Sequence, residues 1–183
     1  MSELLKLIKE NGFRKTDKHT RHTYIPHFYD SCFEPLKDKE INVLEIGARE
    51  GDSLKLWREY FSKADIYGIE NYFNPKFSYK DVNYLFEDAY TQDVVDKLPA
   101  LDVIIDDGPH TLESQIKCIE LYFPKLNDSG MIIIEDIQQP SDHAIKMFEE
   151  TYKKMGGTKE IEVYDGRWMC TNQDDDIIVV LKK

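Results

Sequence analysis

The residues best suited to chemistry stand in two short blocks. Leu101-Asp102-Val103-Ile104-Ile105-Asp106-Asp107-Gly108-Pro109-His110 ends an apolar run in two carboxylates and a histidine. Met131-Ile132-Ile133-Ile134-Glu135-Asp136 ends a second run in two more carboxylates. If the two runs are neighbouring strands, four carboxylates crowd at one edge, and like charges that close repel unless they are protonated or neutralised by a cation. A divalent metal resolves the conflict, and all-oxygen ligation with open positions suits Mg²⁺ or Mn²⁺ rather than zinc. The plainer reading stays open: in a chain with 35 acidic residues, these acids also fit as strand-end caps and solvated turn residues.

A second constellation follows an earlier apolar run. Asn42-Val43-Leu44-Glu45-Ile46-Gly47-Ala48-Arg49-Glu50-Gly51-Asp52-Ser53 reads as a buried strand, a glycine-bounded turn and a helix start. Gly47 tolerates backbone angles closed to other residues and lets a ligand approach the main chain. Arg49 stands where a dinucleotide fingerprint needs its second glycine, which disfavours a pyrophosphate cradle and with it a nicotinamide oxidoreductase. Glu70 ends the next strand about 20 residues on, where a carboxylate can accept from ribose hydroxyls. Asp88 ends the one after, and equally fits as the cap of a helix over Tyr90–Leu98.

His19 and His22 are spaced H-x-x-H, but no glutamate lies between them and basic neighbours repel a cation, so zinc is disfavoured. His27 and His143 read as surface or helix-face residues. Trp57, Tyr60 and Phe61 fall at helical spacing and read as core. Tyr72, Phe73, Phe77 and Tyr79 crowd the loop after Glu70, where they flank a ligand or simply pack on the sheet. Arg167-Trp168 is placed to line an acceptor pocket, with the same alternative.

These residues are carried by alternating β-branched runs and longer helical patterns, the signature of a parallel sheet with crossover helices. Strands are expected at Ile41–Ile46, Asp65–Ile69, Val82–Phe86, Leu101–Ile105, Met131–Ile134, Glu160–Tyr164 and Ile177–Leu181. Asp52 or Ser53 caps a helix through Leu54, Trp57 and Phe61, and Thr111 caps one over Leu112–Leu126 before Asn127-Asp128-Ser129-Gly130 turns the chain. A third helix opens at Pro140-Ser141-Asp142 and closes at Gly156-Gly157. A doubly wound α/β fold follows, and such folds bind ligands beyond the carboxyl ends of their strands.

Composition narrows the partners. With 24 basic against 35 acidic residues in 183, the net charge is −11 and no basic block offers counterion release, so nucleic acid is disfavoured. No run approaches the roughly 18 to 20 apolar residues of a bilayer span, and the first residues lack the pattern of a signal peptide. Cys32, Cys118 and Cys170 form no C-x-x-C, which points to a reducing, cytoplasmic setting without a membrane partner. Self-association stays open.

Leu44-Glu45-Ile46-Gly47 with a terminal Glu70 resembles the first two motifs of class I S-adenosylmethionine-dependent methyltransferases. Thr16-Asp17-Lys18, His22-x-Tyr24, Gly51-Asp52-Ser53-Leu54-Lys55-Leu56-Trp57, Tyr60-Phe61 and Ile66-Tyr67-Gly68-Ile69-Glu70 are similar to the macrocin and mycinamicin type of sugar O-methyltransferase, from about Thr16 to Asp136. The resemblance implies a single-domain, Rossmann-like α/β fold. Its sheet has seven strands, mostly parallel with the last antiparallel, and helices on both faces. Residues 1–40 form a helical lid segment before a core of residues 41–183.

On the same resemblance, S-adenosylmethionine is the cofactor, with Gly47, Glu70 and Asp88 on its methionine, ribose and adenine portions. Glu45 and Asp106 stand beside them, and Asp17 to Tyr24 contribute a lid in which Asp17 and Tyr24 contact the cofactor. Asp107, Glu135 and Asp136 bind Mg²⁺ or Mn²⁺, while His110, with Asp107, carries catalysis as the base. Pro109 stands where the family usually has Ser. The implied reaction is metal-assisted O-methylation of a sugar or glycan hydroxyl: a metal lowers the pKa of adjacent hydroxyls and a neutral imidazole takes the proton near pH 7. A catechol-like acceptor and a non-catalytic cofactor-binding module remain alternatives.

Overall fold

The structure is a computed structural model that describes residues 2–73, 76–169 and 174–183. Cys170 lies outside them. Seven strands form one sheet: β1 (Asn42–Ile46), β2 (Asp65–Glu70), β3 (Val82–Phe86), β4 (Leu101–Asp106), β5 (Leu126–Ile134), β6 (Glu162–Asp165) and β7 (Ile177–Lys182), in the order β3-β2-β1-β4-β5-β7-β6. The first five run parallel, and β7 pairs antiparallel with both β5 and β6. This is the doubly wound, mostly parallel sheet expected from the alternating runs. The chain winds outward in both directions from β1, so the ends of β1 and β4 flank a topological switch point.

Strand residues alternate between two cores because successive side chains leave opposite faces of the sheet. Leu44, Ile46, Ile104, Ile132 and Ile134 pack with Val94 and Val95 of α4 (Gln92–Val95), Cys118, Ile119 and Tyr122 of α5 (Leu112–Tyr122), and Phe148 and Tyr152 of α6 (Ser141–Lys154). Val43, Val103, Ile105 and Ile133 pack on the other face with Leu54 and Trp57 of α3 (Asp52–Tyr60). The first 40 residues join that second layer through Leu4 and Ile8 of α1 (Glu3–Asn11), Tyr24 and Tyr29 around a π-helical turn at Ile25–Tyr29, and Phe33 of α2 (Asp30–Phe33). Trp57, Tyr60 and Phe61 are core, as their spacing predicts.

Several boundaries differ from expectation. The helix over Tyr90–Leu98 shortens to the single turn α4, which still buries Val94 and Val95. The helix from Leu112 ends at Tyr122, followed by a 3₁₀ turn at Phe123–Lys125 that carries Pro124. The turn residues Asn127–Gly130 fall inside β5 rather than before it: Leu126 pairs with Leu101 and Met131 with Val103, and the four residues between bulge out of the ladder with Ser129 at φ 68°. The cap of α3 is Gly51, with Asp52 its first residue, whereas Thr111 caps α5 by accepting the Ser114 N–H at 3.1 Å.

Candidate active site

The parallel ladder brings the chemical blocks together. Asp106 pairs with Ile134 in the β4–β5 register, and beyond it the Glu135 N–H donates to the Asp106 carbonyl at 3.1 Å. The tips of the two strands therefore lie side by side. Oδ1 of Asp107 and Oδ2 of Asp136 each stand 3.7 Å from Nε2 of His110. One donor atom from each of the three residues fits within a span of 4.8 Å. His110 and Asp136 both adopt left-handed backbone angles, φ 56°, which non-glycine residues hold only where the surroundings over-determine them.

A cavity of about 270 Å³ opens beside this cluster at the ends of β1 to β4. Its walls include Gly47, Arg49, Glu70, Tyr72, Phe73, Glu87, Tyr90, Asp107 and His110, and Asp17 of the N-terminal segment reaches it from across the sheet. Of the residues expected around a cofactor, Asp17, Gly47 and Glu70 line the cavity. Tyr24, Glu45, Asp88 and Asp106 do not. Tyr24 donates its hydroxyl to Asp136 Oδ1 at 2.6 Å, and Glu45, buried under α3, accepts from Trp57 Nε1 at 3.1 Å. Asp88 is exposed and accepts the Tyr90 N–H at 3.0 Å, leaving neighbouring Glu87 on the cavity wall.

Glu70 shapes the rim. Its Oε1 accepts the N–H groups of Asn71, Tyr72 and Phe73, and its Oε2 accepts that of Arg49. One carboxylate thus joins the glycine loop to the aromatic loop. Of that loop, Tyr72 is 79% exposed, while Phe77 packs against Tyr84. Trp168 is 81% exposed, Arg167 pairs with Asp165, and neither is among the residues lining the cavity.

Gly47 is required by a close approach. Its φ is 84°, and a Cβ there would lie 1.9 Å from the Asp107 carbonyl oxygen, a main-chain atom that cannot swing aside. Gly47→Ala should cost about 2 to 4 kcal/mol of stability, measured by urea unfolding. Gly12→Ala, with φ 73° but nothing within 4 Å of the new carbon, should cost only about 1 kcal/mol. Equal losses would show that backbone angle alone, not contact with Asp107, makes the glycine necessary.

Asp106 acts behind the wall. It is buried, accepts the Tyr90 hydroxyl at 2.7 Å, and so fixes a side chain that lines the cavity. Burial pushes its carboxyl up to about 6, against the pull of the Tyr90 hydrogen bond and His110. Because the folded value exceeds the ordinary 3.8, the neutral form contributes stability fully below that value, and the contribution fades as pH rises through about 6. The Tm of Asp106→Asn, relative to wild type, should therefore rise between about pH 4 and about pH 6. A constant difference would place the titration elsewhere.

The expected metal ligands separate into two environments. Asp107 and Asp136 face His110, but Glu135 is 1% exposed and turned the other way, accepting from Tyr29 and, at 2.7 Å, from Lys18 Nζ. Lys18 is itself fully buried and also meets Asp107 Oδ2 at 2.6 Å and Glu45 Oε1 at 3.2 Å. Nothing in the polar stretch around Lys18 marked it for burial. His22 stacks on Tyr24 and lies 3.6 Å from Asp136 and 3.5 Å from Asp176, so carboxylates surround it where basic neighbours were expected. Burial, and then the Asp107 charge, raise the Asp136 carboxyl above the usual range. That crowding, with two carboxylate oxygens converging beside an imidazole, fits a hard divalent cation held by oxygen.

Known proteins match both the sequence and the fold. No family model matches the chain. It is 31% identical over 134 residues to 8-demethyl-8-alpha-L-rhamnosyl tetracenomycin-C 2'-O-methyltransferase of Streptomyces olivaceus, covering 67% of this chain and 35% of that one. Mycinamicin VI 2''-O-methyltransferase of Micromonospora griseorubida is 26% identical over 127 residues, 63% of this chain and 32% of its own length. The chain is a class I methyltransferase homologue of the macrocin and mycinamicin type. Among solved structures, the MycE methyltransferase in complex with Mg, SAH and mycinamycin VI superposes with a TM-score of 0.78 at 18% identity, over 98% of this chain and 54% of that one. This homologue spans about a third of the length of the curated relatives it matches.

Proposed function

We propose that the chain binds S-adenosylmethionine in the strand-end cavity and, with a divalent cation such as Mg²⁺ or Mn²⁺, methylates a hydroxyl of a sugar or glycan. The observation that carries this reading is the convergence of Asp107, His110 and Asp136, within 4.8 Å of one another, beside a cavity at the switch point of the sheet. The named relatives methylate sugar hydroxyls, which supports the acceptor class.

Asp17, Gly47, Arg49 and Glu70 would hold the cofactor, with Glu87 and Tyr90 on the far wall. Asp107 and Asp136 would hold the metal. When bound, the cofactor supplies an electrophilic methyl group, and the metal lowers the pKa of neighbouring hydroxyls and fixes their direction. His110 takes the departing proton, with the two carboxylates placed to pair with the imidazolium that results. Tyr24 and Lys18 each hold one oxygen of a metal-seat carboxylate, so the remaining oxygens keep their direction. An aliphatic hydroxyl needs such a base more than an acidic phenol does, which favours a sugar over a catechol.

A cytoplasmic setting fits Cys32 and Cys118, which are free thiols, and no helix among the described residues is long and apolar enough to cross a membrane. Calorimetric titration with S-adenosylmethionine and with NAD tests the cofactor. Binding of the first at micromolar levels, with none of the second, supports the reading. The reverse preference overturns it.

A further inference from the structure

Arg49 stands in the turn from β1 into α3 with φ 45°, a left-handed angle that glycine takes without strain and arginine does not. Its N–H donates to Glu70 Oε2 at 2.8 Å, its guanidinium lies 5.5 Å from the centre of the Phe73 ring, and Nη1 meets Asp17 Oδ2 at 3.2 Å. The side chain is 49% exposed, so neither the ion pair nor the ring contact contributes much to the fold. An arginine held against its backbone preference on a cavity wall points to a ligand rather than to stability.

The charge around it is one-sided. Asp17, Glu70, Glu87 and Asp107 bring carboxylates to the same cavity, and among the described residues lining it Arg49 alone carries a permanent positive charge. A ligand carboxylate entering there meets repulsion from those acids and attraction from this guanidinium. Asp17 engages Nη1, and a guanidinium carries more N–H donors than that contact uses, in a planar fork that matches a carboxylate. Glu70 holds both the Arg49 N–H and that of Phe73, and so sets where the fork lies.

We propose that Arg49 determines specificity for a ligand with an α-amino-acid end: its guanidinium takes the ligand's carboxylate, which an otherwise acidic wall would reject. The inference rests on the cofactor reading above and deepens it, since S-adenosylmethionine and its demethylated product both carry that end.

The test is calorimetric titration of the full chain, without metal or acceptor. It compares S-adenosylhomocysteine with its decarboxylated analogue, which keeps the adenosine, the thioether and the amine. Wild type should bind S-adenosylhomocysteine at least about tenfold more tightly than the analogue. Arg49→Gly suits φ 45° and so keeps the fold. It should weaken S-adenosylhomocysteine about tenfold or more and change the analogue less than about threefold. Arg49→Lys keeps the charge without the fork and should recover part of the lost preference. Equal weakening of both ligands in Arg49→Gly would mean that the side chain supports the wall through Phe73 and Asp17, and tighter binding would mean that it blocks the cavity. Either result overturns the inference and leaves the cofactor reading intact. Binding of neither ligand to wild type would overturn both.

Discussion

His110→Ala should lower turnover by roughly 10²- to 10⁴-fold, the range a positioned general base contributes, while the affinity for S-adenosylmethionine changes by no more than about threefold. The split follows from position. His110 sits at the edge of the cavity with Nε2 against Asp107 and Asp136, whereas the contacts that organise the opposite cavity wall belong to Gly47, Glu70 and the loop that Glu70 binds. Single-turnover methyl transfer and calorimetric binding on the same preparation read the two quantities separately. A parallel loss of affinity and rate would mean that the imidazole supports the cavity wall rather than the proton transfer.

Removing divalent cations should have the next largest effect. Chelation should reduce turnover about hundredfold or more, restored by Mg²⁺ or Mn²⁺, because Asp107 and Asp136 then repel across the seat and the acceptor hydroxyl loses its activation. Asp136→Asn should mimic chelation and resist rescue at ordinary Mg²⁺ levels, yet it removes one of two crowded charges and so should not lower thermal stability. The Tyr24 hydroxyl still finds an oxygen on the asparagine. Full activity in excess chelator would take the metal out of the reaction.

The sheet was readable because β1, β2, β4 and β7 are β-branched runs whose alternate residues feed two cores. The start of β5 was not, since Leu126 pairs with Leu101 ahead of a bulge at Asn127–Gly130 whose turn residues hide the strand. At the site, Asp107, His110, Glu135 and Asp136 were readable as strand-end residues. Which way each points was not. Glu135 and Asp136 are consecutive, yet the left-handed angle at Asp136 turns it toward His110 while Glu135 stays beneath the N-terminal segment. Lys18 lies in Arg14-Lys15-Thr16-Asp17-Lys18-His19, a stretch that reads as solvated, and its partners Asp107 and Glu135 lie 89 and 117 residues away. Burial of a lysine is decided by such distant carboxylates, which no local pattern encodes.

A crystal structure of the chain grown with S-adenosylhomocysteine and Mn²⁺ bears most directly on the central claim. An anomalous peak bridging Asp107 and Asp136, with the homocysteine sulfur in the cavity between Gly47 and His110, is the predicted result. A nucleoside bound elsewhere, or a peak away from those carboxylates, would contradict it.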